Sequence, residues 1–225
     1  MKTVGIIGGL GPETTTKFYM DIVLACSKIS GCRPNVVISN VELPLLLEKE
    51  ILEEGKNEKS ILPYIIRSAK QLEKADVQFI VIPCNTVHIF IKQIRSAVSI
   101  PVLSIIEETS KVLVKKEINE IGLLATPLTI SSKLFDEKLK LSGIKIKTPN
   151  KLNINKVGTI IRRIVDKSST NEDSEEFLKI MKELKTNNYL LACTDLQLIN
   201  NQLENAEAFD TLDILAKATV REIFS

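Results

Sequence analysis

The sequence predicts an α/β protein built as two pseudo-symmetric open α/β domains with mostly parallel sheets and an active site in the cleft between them. Three observations predict it. Short apolar runs alternate with amphipathic helical stretches along the whole chain. The chain also repeats itself loosely: Val4-Gly5-Ile6-Ile7-Gly8-Gly9-Leu10-Gly11-Pro12 opens the first half, and Ile121-Gly122-Leu123-Leu124-Ala125-Thr126-Pro127-Leu128-Thr129 opens the second. Finally, an apolar run ends at a cysteine in each half, at Phe79-Ile80-Val81-Ile82-Pro83-Cys84 and Tyr189-Leu190-Leu191-Ala192-Cys193. Fully buried parallel strands read this way, and ligands of open α/β sheets gather just past the carboxyl ends of such strands.

In chain order, strands are expected near 3–8, 35–41, 78–83, 101–105, 120–126, 144–149 and 189–193. Helices are expected over 12–29, 58–75, 86–96, 106–116, 130–142, 153–167, 172–186 and 210–224. The first helix has Pro12 at its first position and the apolar spacing Phe18, Ile22, Val23, Cys26. That spacing makes Cys26 a small buried hydrophobe. Cys32 falls in the turn Ser30-Gly31-Cys32-Arg33-Pro34. Segment 42–57 reads as a short helix or as a loop crossing the mouth of a site. The expected first domain is 1–106 joined by a C-terminal helix within 208–225, and the second is 107–207.

Composition excludes several classes. With 30 basic and 28 acidic residues the net charge is +2, and aromatic residues are 4%. Neither a basic field nor a stacking platform for nucleic acid follows from that. No apolar run approaches the roughly 20 residues that span a bilayer, and the start lacks a signal-peptide pattern. A cytoplasmic protein with reduced cysteines and a small-molecule partner is expected. One histidine and no CxxC pair leave little with which to build a metal site.

Gly8-Gly9-Leu10-Gly11-Pro12 lies between a strand and a helix, where glycines admit a ligand to the backbone and free helix amides favour an anion. A tight turn is the plainer reading; Thr14 stands where a dinucleotide fingerprint needs glycine. Cys84 and Cys193 are candidate catalytic acid and base. Only the thiolate is a useful base, and a strand-to-helix junction is expected to lower a thiol's pKa. Two thiols facing each other across a cleft can remove a proton from one face of a carbon and return one to the other. Two buried small residues are the alternative. Asn85, Thr86 and Thr194 offer donors for a substrate carboxylate or caps for their helices. His88, one helical turn after Cys84, either tunes the thiol and shuttles protons or is a satisfied helix residue.

At these residues the chain resembles the cofactor-independent aspartate/glutamate racemase superfamily, particularly its aspartate racemase branch. Gly8-Gly9-Leu10-Gly11-Pro12-Glu13-Thr14-Thr15 is similar to G-G-M-G-P-x-A-T, and Pro83-Cys84-Asn85-Thr86-Val87-His88 to P-C-N-T-A-H. Leu124-Ala125-Thr126 with Thr129 resembles L-A-T-x-x-T, Cys193-Thr194-Asp195-Leu196 resembles C-T-E-L, and Phe209-Asp210-Thr211 a late D-T or D-S motif. The resemblance implies two α/β domains with the substrate between them, no pyridoxal phosphate, no metal, a two-base mechanism on Cys84 and Cys193, and usually a homodimer. It implies substrate-binding roles for Gly11, Asn85, Thr86, Thr129 and Thr194, places Lys156 near an acidic substrate side chain, and sets His88 and Asp195 beside the cysteines. Two features depart from the pattern. Ala192 and Asp195 replace the usual glycine and glutamate around Cys193, and Leu46 stands where aspartate-specific members carry an arginine. Aspartate is the leading expected substrate. A broad-specificity amino-acid racemase, a hydantoin racemase, a maleate isomerase, a decarboxylase and a non-catalytic binding protein are the alternatives.

Overall fold

A computed structural model describes residues 1–44, 46, 47, 50, 57–196 and 207–225, and the backbone alone of 197 and 198. Most of segment 42–57 therefore lies outside the described residues, and its expected role at the mouth of a site with it. Of its described residues, Leu46 is 78% exposed.

Two parallel sheets carry the fold. In the first, β1 (Val4–Gly8) lies between β2 (Val36–Asn40) and β3 (Phe79–Val81). Val4 pairs with both Val36 and Phe79. In the second, β4 (Glu120–Leu124) lies between β5 (Lys145–Lys147) and β6 (Asn188–Leu191), and β7 (Glu207–Asp210) pairs on the outer side of β6.

The run 101–105 is not a strand. It contributes a single bridge, Val102 to Ile80, because Pro101 has no N–H to extend a ladder and Ser104 already caps the next helix. The four-residue strand β7 was not anticipated, since Glu207-Ala208-Phe209-Asp210 carries one large apolar side chain. Yet the two features are equivalents. In each half the order is second, first, third, fourth, with the Val102 bridge beside β3 where β7 sits beside β6.

The helices are α1 (Pro12–Ser30), α2 (Leu62–Lys74), α3 (Ile91–Ala97), α4 (Ile105–Lys115), α5 (Pro127–Ser131), α6 (Asp136–Leu141), α7 (Lys151–Val165), α8 (Asn171–Glu183) and α9 (Thr211–Ile223). Pro12 starts α1, and Gly31, in the left-handed region, ends it. The single helix expected over 130–142 is two, separated at Lys133 with φ 54°.

Strand periodicity explains the layering. Ile6, Phe79 and Val81 of the first sheet point into the same core as Ile121, Leu123 and Leu190 of the second. That shared core is filled by Phe18 and Ile22 of α1, Ile105 and Leu113 of α4, and Leu212 and Leu215 of α9. The alternate residues face outward: Ile7, Ile80 and Ile82 onto α2 and α3, and Leu124, Tyr189 and Leu191 onto α7 and α8. Helix α9 packs against both α1 and α4, so one helical layer serves both sheets. No helix among the described residues is long and apolar enough to cross a membrane.

Candidate active site

Both cysteines follow the third strand of their sheet, and both line one cleft with a cavity volume of about 60 Å³. Cys84 opens the short helical turn Thr86–Phe90, and Cys193 opens the turn Thr194–Leu198. Polar lining comes from Gly11, Asn85, Thr86, Thr126, Thr194 and Asp195; Leu10, Leu43, Ile61, Val87 and Val165 form an apolar wall. No lysine or arginine lines the cleft among the described residues.

The opening loops of the two halves meet across this cleft in a crosswise pattern. Thr86, two residues after Cys84, has its hydroxyl 3.2 Å from that of Thr126 and 3.0 Å from that of Thr129, both at the start of α5. Thr126 donates in turn to Thr129 at 2.9 Å, closing a triangle of hydroxyls. Asp195, two residues after Cys193, instead accepts from the hydroxyl of Thr14 at the start of α1. Gly11 caps that helix with φ 91°, and a side-chain carbon there would sit 3.1 Å from Asp195 Oδ1. Glycine is thus required on two counts, by conformation and by the close approach of the carboxylate. Thr15 braces the loop, its hydroxyl accepting from Gly9 N–H and donating to the Gly11 carbonyl, each at 3.0 Å. The residues next to the cysteines are tied down as well. Thr194 donates to the Pro83 carbonyl at 3.3 Å, and Asn85 Nδ2 donates to Thr211 Oγ1 at 2.9 Å.

Cys193 is 7% exposed and its thiol donates to Asp195 Oδ2 at 3.7 Å. Burial pushes this thiol well above its ordinary pKa, and the Asp195 charge pushes it further the same way. The helix-terminus lowering expected of a strand-to-helix junction does not win here. The turn after Cys193 is five residues of tight helix with little dipole, and a carboxylate stands against it. Asp195 is itself raised above the usual carboxylate range by burial, opposed by the Thr14 and Cys193 hydrogen bonds.

His88 does not line the cleft. It is buried, its Nε2 accepts from the Ile105 N–H at 3.2 Å, and Nδ1 therefore carries the proton and donates to the Cys84 carbonyl at 2.8 Å. Burial pushes its pKa down to about 4, so the ring is neutral near pH 7. It ties the Cys84 loop to the start of α4. Lys156 is not brought to the site either: it lies exposed on α7 and pairs with Glu176 of α8. Thr129 stands behind the lining, in the hydroxyl triangle. Thr14, Thr126 and Val165 went unpredicted. Thr14 and Thr126 lie within motifs that flank helix starts, where capping is the plain expectation, and Val165 carries no chemical signal at all. Among the described residues no group of three or more metal-ligating side chains converges.

A sequence model of the Asp/Glu/Hydantoin racemase family matches residues 7–219. The chain is 28% identical over 228 residues to the broad specificity amino-acid racemase RacX of Bacillus subtilis (strain 168), covering 96% of each. Among solved structures, the aspartate racemase of Picrophilus torridus superposes with TM-score 0.83 at 26% identity, over 100% of this chain and 95% of that one. PH1733, an aspartate racemase homologue from Pyrococcus horikoshii OT3, superposes with TM-score 0.79 at 23% identity, over all of both chains. With two parallel sheets of like topology and a cleft bearing two cysteines, the chain belongs to the Asp/Glu/Hydantoin racemase family and is an isomerase.

Proposed function

We propose that this protein is an amino-acid racemase working without pyridoxal phosphate, with Cys84 and Cys193 as the two bases. The observation that carries the reading is the placement of two thiols in one cleft at equivalent points of a repeated fold. One cysteine, as thiolate, takes the α-proton from one face of the substrate; the other, as thiol, delivers its own proton to the opposite face. The thiol and thiolate have then exchanged roles. Turnover in the reverse direction restores them, as does loss of a proton to water from the first and gain of one by the second before the next forward turnover. Charge developing toward the substrate carboxylate is met by hydroxyl and amide donors, for which Thr86, Thr194 and the Gly11 loop stand ready. Asp195 biases the proton onto Cys193, and His88 holds the Cys84 loop.

Aspartate is the substrate that the sequence resemblance favours, and the likeness to the Picrophilus torridus enzyme supports it. A second reading has a specific observation behind it. The described lining offers an apolar wall and no cation, Leu46 faces solvent, and Lys156 is engaged elsewhere. An acidic side chain buried there would lack a charged partner among the described residues, so a neutral side chain suits this wall better. Relatedness to a broad specificity racemase points the same way. We further propose action as a homodimer in the cytoplasm. The proposed division sets 1–106 with 208–225 against 107–207, residues 208–210 of β7 being shared because they pair with β6.

The test is α-proton exchange in heavy water, read by NMR and chiral chromatography, for L- and D-aspartate, glutamate and neutral amino acids. Exchange with inversion is the expected result. Inversion of aspartate selects the first substrate reading, inversion of neutral amino acids alone selects the second, and exchange of none refutes the racemase.

A further inference from the structure

Asn85 lines the cleft and is 2% exposed, and the two ends of its amide have different surroundings. Nδ2 donates to Thr211 Oγ1 at 2.9 Å. Thr211 gives its single hydroxyl proton to the Leu191 carbonyl at 3.0 Å. With that proton committed, Thr211 meets Asn85 only as an acceptor. The orientation of the amide follows: its amino group faces Thr211 and its carbonyl oxygen turns away. Asn85 Oδ1 is buried and has no hydrogen-bond partner among the described residues. Buried carbonyls are seldom left so, because an unmet acceptor removed from water is costly. Asn85 lines the cleft, and a ligand N–H is the kind of group that would satisfy such an acceptor.

We propose that Thr211 is a positioning residue for substrate binding, holding the Asn85 amide so that Oδ1 accepts from the substrate's α-ammonium. The inference rests on the amino-acid reading above and gives the late Asp210-Thr211 motif a task. An ammonium group has donors only, so it needs an acceptor. The reversed amide would turn two N–H groups toward a cation. Thr211 enforces the useful orientation from a distant point of the sequence: it begins α9, its proton goes to the Leu191 carbonyl of β6, and the amide it fixes follows β3.

Calorimetric titration of the whole chain with matched pairs tests this. L-alanine against propanoate, and L-aspartate against succinate, differ by the ammonium alone. Thr211→Val keeps the shape and removes the hydroxyl. It is expected to weaken binding of the amino acid about tenfold, the worth of one hydrogen bond, while leaving the deaminated partner unchanged. Thr211→Ser is expected to restore the wild-type preference. Equal weakening of both members of a pair, or no weakening of the amino acid, overturns the proposal. Should Thr211→Val fail to fold, Asn85→Ala decides: it must erase the preference for the amino acid, and a retained preference overturns the proposal. A wild-type chain without any such preference overturns it too. The racemase reading falls separately, if amino acids bind without α-proton exchange.

Discussion

The two halves share one scaffold and differ in the chemistry set on it. The segment Cys84-Asn85-Thr86 corresponds to Cys193-Thr194-Asp195, each past the third strand of its sheet. The residue after the cysteine is anchored differently, Asn85 to Thr211 at the start of α9 and Thr194 to Pro83 of the other half, while the residue after that reaches the other half's opening loop in both. In the first half that second residue is Thr86, which joins the neutral hydroxyls of Thr126 and Thr129. In the second it is Asp195, a carboxylate 3.7 Å from the thiol. Gly11 and Thr126 complete the correspondence: a glycine where the carboxylate comes close, a threonine where a hydroxyl is wanted. Duplicated topology places two thiols at equivalent points, and at Cys193 burial and the Asp195 carboxylate both hold the proton on the sulfur.

The largest expected effect comes from removing either carrier. Cys84→Ala and Cys193→Ala are each expected to lower racemisation by about 10³-fold or more, in line with losing a positioned acid or base. Circular dichroism should show the fold intact. Full activity in either single variant would end the two-base reading and make the correspondence between the halves purely architectural.

A second comparison concerns stability toward acid. His88 in the first half is held neutral, its pKa pushed down to about 4 from the ordinary 6.5 by burial. The unfolded chain therefore binds this proton first, and His88 contributes stability above pH 6.5 that is lost as the pH falls toward 4. Asp210, which caps α9, runs the other way. Burial raises its pKa from 3.8 to about 6, so it costs stability above pH 6 and the cost disappears toward pH 4. Each shift corresponds to about 3 kcal/mol at about 1.4 kcal/mol per unit, and over the same window the two nearly cancel. Asp210→Asn keeps the cap and removes the charge. Urea melts at pH 7 and pH 4.5 should find that variant more stable than wild type at pH 7 by up to about 3 kcal/mol, and more strongly destabilised by acid. A variant with an unchanged pH profile would show that Asp210 does not offset His88.

The smallest expected effect sharpens the chemical comparison itself. Asp195→Asn replaces the carboxylate by a neutral amide and makes the setting of Cys193 resemble that of Cys84. The Cys193 thiol should then ionise more readily, its alkylation at fixed pH rising about tenfold for each unit its pKa falls. An unchanged alkylation profile would mean that burial alone keeps Cys193 protonated.

Much of this was legible in the residues. Pro12, the alternation of apolar runs with helical spacing, and the cysteines after Val81 and Leu191 are local signals, and they give the α/β class, the parallel sheets and the repeat. Boundaries failed where a local signal was weak or misleading. The run 101–105 looks like a strand yet holds only one bridge because of Pro101, and β7 carries too few apolar side chains to announce itself. In the site, Lys156 had a plausible motif but a different partner, Glu176, which only the packing of α7 on α8 supplies.

By itself the sequence determined the class of fold and the two thiols at strand ends, because each depends on spacing within about a dozen neighbouring residues, and the duplication, because two such local patterns recur in the same order. Tertiary structure alone decided that β7 completes the second sheet, that Thr14 reaches Asp195, and that Thr211 turns the Asn85 amide. It also decided that Cys193 keeps its proton, against the expectation from its place at a helix start. These outcomes depend on burial and on partners more than a hundred residues apart, as Thr14 to Asp195 and Asn85 to Thr211 are. Desolvation and charge act through space, and no local pattern in the chain records what lies across the cleft.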